Sequence, residues 1–78
     1  MSREMKYIRF DNGLVEYFVV FSSVESHAVI AQKIGDSVVS AGFVAHGAEI
    51  MRCYGESISL GVISRDDDTE RLSRQFGV

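Results

Sequence analysis

The sequence predicts an α+β fold, with a mainly antiparallel sheet of about five strands in the order ββαβββα and the helices on one face. Three observations predict it. Asn12-Gly13 separates two runs rich in aromatic and β-branched residues, the strongest short-range sign of a hairpin. A stretch of helical periodicity follows and stops at Gly35, which can take the left-handed conformation that closes a helix. From Val38 to Val62 apolar residues alternate with small or polar ones, interrupted at His46-Gly47 and Gly55-Glu56, and that alternation is the period of strands.

The elements follow in order. A two-residue turn at Asn12-Gly13 pairs Asp11 with Leu14, Phe10 with Val15, Arg9 with Glu16 and Ile8 with Tyr17. One face then carries Ile8, Phe10, Val15, Tyr17, Val19 and Phe21, the predicted core. The other carries Tyr7, Arg9, Glu16, Phe18 and Val20: an ion pair near the turn, apolar beyond it. Ser22 and Glu25 have capping-box spacing and open the first helix. Its apolar stripe is Val24, His27, Ala28, Ile30, Ala31 and Ile34. Val38 to Ala45 and Glu49 to Tyr54 form a second hairpin. Two registers compete there. A two-residue loop puts Arg52 on the face of Phe43. A three-residue loop (His46, Gly47, Ala48) pairs Phe43 with Met51 and Ala41 with Cys53. The second is preferred, because a one-residue slip would bury the arginine. Ile58, Leu60 and Val62 alternate as a third strand, and Asp66 to Phe76 form a last helix with a thin stripe of Leu72 and Phe76, ending at Gly77.

Composition bounds the function. The chain has 78 residues, which is a single small domain, 1–78, with one core. At 46% hydrophobic and 24% charged residues it is globular and not disordered. Apolar runs such as Phe18 to Phe21 fall far short of the roughly 20 residues that span a bilayer. A net charge of −3 argues against nucleic acid as a partner. The mixed charges of Met1 to Lys6 are unlike a secretory signal, and the lone Cys53 has no internal disulfide partner, so the expected location is the cytoplasm.

Each candidate for chemistry has a structural explanation. His27 lies on the apolar stripe and reads as a packed imidazole with one hydrogen-bond partner. His46 and Cys53 suggest a Cys–His dyad, but seven residues of extended chain place them about 20 Å apart. Cys53 reads as a small buried apolar residue, and the chain has no close Cys/His pair for zinc. Asp66-Asp67-Asp68 with Glu70 suit a helix N-terminus and its dipole. Gly55-Glu56-Ser57-Ile58-Ser59 lacks the final glycine of a nucleophile elbow. Arg65, Arg71 and Arg74 are interleaved with acids and read as local ion pairs. No catalytic residue, metal ligand or cofactor is assigned.

Ser40-Ala41-Gly42-Phe43-Val44, then Cys53-Tyr54-Gly55-Glu56-Ser57 and Ser59-Leu60-Gly61, resemble a pattern in short bacterial and phage-encoded proteins of unknown function. The resemblance covers the C-terminal half and implies no activity and no site residue.

Two functions remain in view. With both helices on one face, Tyr7, Phe18 and Val20 form an uncovered apolar patch, which predicts an interface and a homodimer. The chain is then a non-enzymatic protein-interaction module, an adaptor or inhibitor, meeting itself or another protein through the patch and an exposed strand edge. The alternative is a small ligand-binding protein or minor enzyme, with a site at the subunit seam built from His27, Arg52, Tyr54 and Glu56.

Overall fold

In the computed structural model, which describes residues 3–46 and 51–77, β1 (Arg3–Asp11) and β2 (Glu16–Phe21) form the first hairpin. After α1 (His27–Ile34), β3 (Ser37–His46) returns antiparallel to β1, and β4 (Met51–Tyr54) pairs with β3. The sheet order is β2-β1-β3-β4. β5 (Glu56–Ser57) and β6 (Val62–Ile63) make a separate two-stranded hairpin, and α2 (Asp68–Phe76) follows. The class is α+β with an antiparallel sheet, as predicted.

The third strand of the second half is split. Gly61 donates to the Ser57 carbonyl at 2.9 Å, and the Leu60 amide donates to Ser57 Oγ at 3.2 Å. A serine-bonded turn therefore replaces the middle of the predicted strand, and Ile58 is 88% exposed. Alternating Ser and apolar residues look the same in either state.

The first hairpin closes through four residues, Asn12 to Val15, with Asp11 opposite Glu16 and Ile8 opposite Val19. Asn12 Oδ1 accepts from the Leu14 amide at 2.9 Å and the Val15 amide at 3.0 Å, so the side chain organises a wider loop than the predicted two-residue turn. The shift from the predicted register is two residues. An even shift leaves each side chain on its predicted face, except that Val15 falls into the loop and is exposed.

Those faces decide the architecture. Ile8, Phe10 and Ala41 pack beneath Ile30 and Ala31 of α1 and beneath Leu60 and Val62. Tyr7, Phe18 and Val44 pack beneath Leu72 of α2. Tyr7 and Ile8 are consecutive in one strand, so the helices cover opposite faces. The expectation of both on one face is corrected. A sheet apolar on both sides needs a cover on each.

Two local readings also change. α1 begins later than predicted, with Ser26 at its N-cap accepting from the Ala28 amide. Ser22 to Glu25 form a turn instead, the Glu25 amide donating to the Ser22 carbonyl at 3.0 Å, and Val24 is exposed. The C-terminal stop at Gly35, with φ 83°, is as predicted.

In the second hairpin Phe43 lies opposite Tyr54, and Val44 opposite Cys53. The predicted turn at Gly47 and Ala48 lies outside the described residues, but the predicted pairing of Phe43 with Met51 is overturned. The shift is odd, so the faces exchange. Met51 and Cys53 pack against the cluster under α2, and Arg52 stays exposed on an edge strand. The preferred register assumed one buried face. With both faces covered, the cysteine and methionine find apolar partners on the other side.

Candidate functional site

The β-sheet register builds one cross-strand row. Phe21 pairs with Lys6, Lys6 with Phe43, and Phe43 with Tyr54. These four side chains therefore stand side by side on the α1 face. The Phe43 and Tyr54 rings are stacked, with centroids 6.0 Å apart and planes at 29°. His27, the first residue of α1, comes down onto the row. Its ring meets Phe21 edge-on at 5.6 Å and Phe43 at 5.9 Å, and its Nε2–H donates to the Gly42 carbonyl at 2.9 Å. A carbonyl only accepts, so this bond fixes the proton on Nε2. Burial, with help from the Lys6 charge, holds the imidazole below its ordinary pKa.

Past Tyr54 the chain lies against β3. A Cβ on Gly42 would sit 2.4 Å from the Tyr54 carbonyl oxygen, so glycine is required where the two backbones meet. Gly55, with φ 82°, then turns the chain into β5. That turn brings Glu56, Ile58 and Ser59 across from Ser26 and His27. Between them lies a cleft of about 530 Å3, with Lys6, Phe43 and Tyr54 along its wall. Lys6 Nζ donates to the Glu25 carbonyl at 2.7 Å, and the Tyr54 hydroxyl bonds the Glu4 carboxylate, which raises the phenol's pKa.

Three of the four side chains predicted for a ligand site, His27, Tyr54 and Glu56, line this cleft. They meet within one chain, so a subunit seam is not needed to bring them together. Arg52 is exposed opposite Ala45 and is not part of the lining. Sequence reasoning missed Lys6 and Phe43. Their signal was a shared face, but it emerges only once the pairing of β1 with β3 is known.

No family model, curated protein or solved structure matches this chain. The site is therefore read from its own geometry.

The predicted interface patch is corrected. Tyr7 is fully buried, Phe18 is 5% exposed, and Val20 packs partly buried against them, because α2 covers this face. A buried polar network holds the helix there. Asp68 is fully buried. It accepts from the Tyr7 hydroxyl at 2.5 Å, from Arg9 Nη1 at 3.0 Å and from the Arg65 amide at 2.9 Å. Arg9 also reaches Glu16 at 2.7 Å, the ion pair predicted on this face, and Asp67 at 2.9 Å. The acidic run thus does more than complement a helix dipole: Asp68 turns inward.

Both sheet edges also bond α2. The Gln75 amide accepts from Phe18 N–H at 2.7 Å and donates to its carbonyl at 2.8 Å, while Thr69 Oγ1 accepts from the Cys53 amide at 2.9 Å. At these positions side chains occupy backbone groups that an added strand would need.

The Cys53–His46 separation is corrected too. The hairpin doubles back, so Cys53 lies opposite Val44, two positions from His46, and not at the far end of an extended span. Cys53 is half-buried, and burial together with the Asp68 charge pushes its thiol up to about 12. Among the described residues, no group of three His, Cys, Asp or Glu side chains is arranged to hold a metal ion. No helix among them is long and apolar enough to cross a membrane.

Proposed function

We propose that this chain is a small ligand-binding protein whose ligand seats in the cleft between the start of α1 and the β5–β6 hairpin. One observation carries this reading: the aromatic residues His27, Phe43 and Tyr54 and the charged residues Lys6 and Glu56 line one recess of about 530 Å3. Ligand pockets commonly measure about 300–1,000 Å3 and combine apolar walls with a few polar groups. The walls are set by sheet register and by the His27–Gly42 bond, so the cleft needs little rearrangement before binding. The test is a fragment library titrated into isotope-labelled protein. Amide shifts should cluster at Ser26, His27, Gly55, Glu56 and Ser59. Shifts scattered over the surface, or none at all, would contradict the proposal.

A second reading is self-association, or an interaction with another protein. Ile58 and Ile63, 88% and 64% exposed on the β5–β6 hairpin, favour it, because they replace the buried Tyr7 patch as apolar surface. A homodimer through this hairpin would bring two clefts close together. Light scattering after gel filtration tests the homodimer, and a monomer at high concentration would refute self-association. A free thiol at Cys53 suits either activity in the reducing cytoplasm, the location we propose.

A further inference from the structure

We propose that the ligand is a small zwitterionic aromatic molecule, an aromatic amino acid in chemical class. The proposal rests on the cleft being a binding site and adds what it binds.

The ring requirement comes from the wall. Phe43 and Tyr54 both line the cleft with their rings 6.0 Å apart and inclined at 29°, and His27 stands perpendicular to Phe43 at 86°. A planar ring can stack on the pair while its edge meets the imidazole, a geometry that aromatic groups favour over aliphatic ones.

The charge requirement comes from the two ends. Lys6 reaches the cleft from β1 with its ammonium oriented by the Glu25 carbonyl at 2.7 Å. An ammonium has three N–H groups, so two remain for an anion. Glu56 faces the cleft from the other strand system. None of the ion pairs among the described residues involves Lys6 or Glu56, so among those residues neither charge is paired. His27 adds no charge near neutral pH, since burial keeps it below its ordinary pKa. The cleft therefore offers one positive and one negative group beside an aromatic wall. A ligand with one carboxylate and one ammonium matches both. A ligand with only one of them leaves a desolvated charge unmatched, and that mismatch is a device for discrimination.

The experiment titrates labelled protein with L-tryptophan and L-phenylalanine. Comparison probes are 3-phenylpropionate, which lacks the ammonium, phenethylamine, which lacks the carboxylate, and benzyl alcohol, which lacks both. The amino acids should move the amides of His27, Gly55 and Glu56 and bind at least about tenfold more tightly than any comparison probe, the scale of one well-placed charged contact. Lys6→Met should abolish the preference for phenylalanine over phenethylamine. Glu56→Gln should abolish the preference for phenylalanine over phenylpropionate. The spectrum of each free variant checks that the fold is retained. If a singly charged or neutral probe binds as tightly as the amino acids, the zwitterion assignment is wrong while the cleft stands as a site. If no probe moves the cleft amides but unrelated fragments do, the aromatic amino acid class is wrong. If nothing moves them, both readings fail.

Discussion

Asp68→Ala tests how the α2 face is held. The carboxylate is fully buried and accepts from Tyr7, Arg9 and the Arg65 amide. Truncation leaves Arg9, itself 3% exposed, without its buried counter-charge. Arg9 Nε already has no hydrogen-bond partner, and the remaining partners, Glu16 and Asp67, are partly exposed and so compensate only in part. Breaking a buried pair from one side costs about 3–5 kcal/mol. At about 0.05–0.15 kcal/mol per residue, a chain of this length has only roughly 4–12 kcal/mol in total. The substitution should therefore remove between about a quarter and all of the stability. Tyr7→Phe removes one bond to the same carboxylate and should cost less, about 1.5–3 kcal/mol. Urea unfolding followed by far-UV circular dichroism measures both. A stability for Asp68→Ala within about 1 kcal/mol of wild type would refute the reasoning and leave α2 docked by Leu72, its apolar neighbours and the Gln75 and Thr69 hydrogen bonds.

Other outcomes follow from single contacts. Gly42→Ala places a methyl 2.4 Å from the Tyr54 carbonyl and should destabilise by about 1–3 kcal/mol or more, read as a lower urea midpoint. His27 titrates below its ordinary value of 6.5 because burial disfavours the imidazolium. The unfolded chain then binds more protons below that pH, so this contribution is fully present above about 6.5 and is lost as the pH falls. Between about pH 7 and 5 the wild-type urea midpoint should fall more steeply than that of His27→Gln; parallel curves would count against a buried neutral imidazole. Cys53, with its thiol pushed up to about 12, should label slowly with DTNB at about pH 8 in native protein and fast in denaturant. Rapid native labelling would show that α2 does not cover it.

Much of the fold was legible because strand parity survives small errors. The first hairpin was misread by two residues, yet Ile8, Phe10, Val19 and Phe21 still share the face opposite Tyr7, Phe18 and Val20. The second hairpin was misread by an odd number, and Cys53 and Arg52 exchanged faces. Local signals that depend on one residue, such as Gly35 and Gly77 as helix stops, were readable directly. Placing the helices was a different problem. The thin stripe of α2 looks too weak to cover a face, because only Leu72 and Phe76 supply it and the polar residues Asp68, Thr69 and Gln75 add no hydrophobicity. They dock the helix through hydrogen bonds, which hydrophobic periodicity does not register. The cleft was half legible for a similar reason. His27, Tyr54 and Glu56 stood out by chemistry, whereas Lys6 and Phe43 join them only through the long-range pairing of β1 with β3.

The central claim is that ligand enters the recess beneath His27, and filling that recess tests it most directly. Ser59 is exposed on its rim, so Ser59→Trp should insert an indole into the space without disturbing the sheet. The measurement is the affinity of the best-binding fragment for wild type and for this variant, by isothermal titration, with unfolding midpoints confirming that both are folded. Binding should fall at least about tenfold in the variant, equal to about 1.4 kcal/mol, at unchanged stability. Equal affinity for both proteins would place the ligand elsewhere and contradict the account.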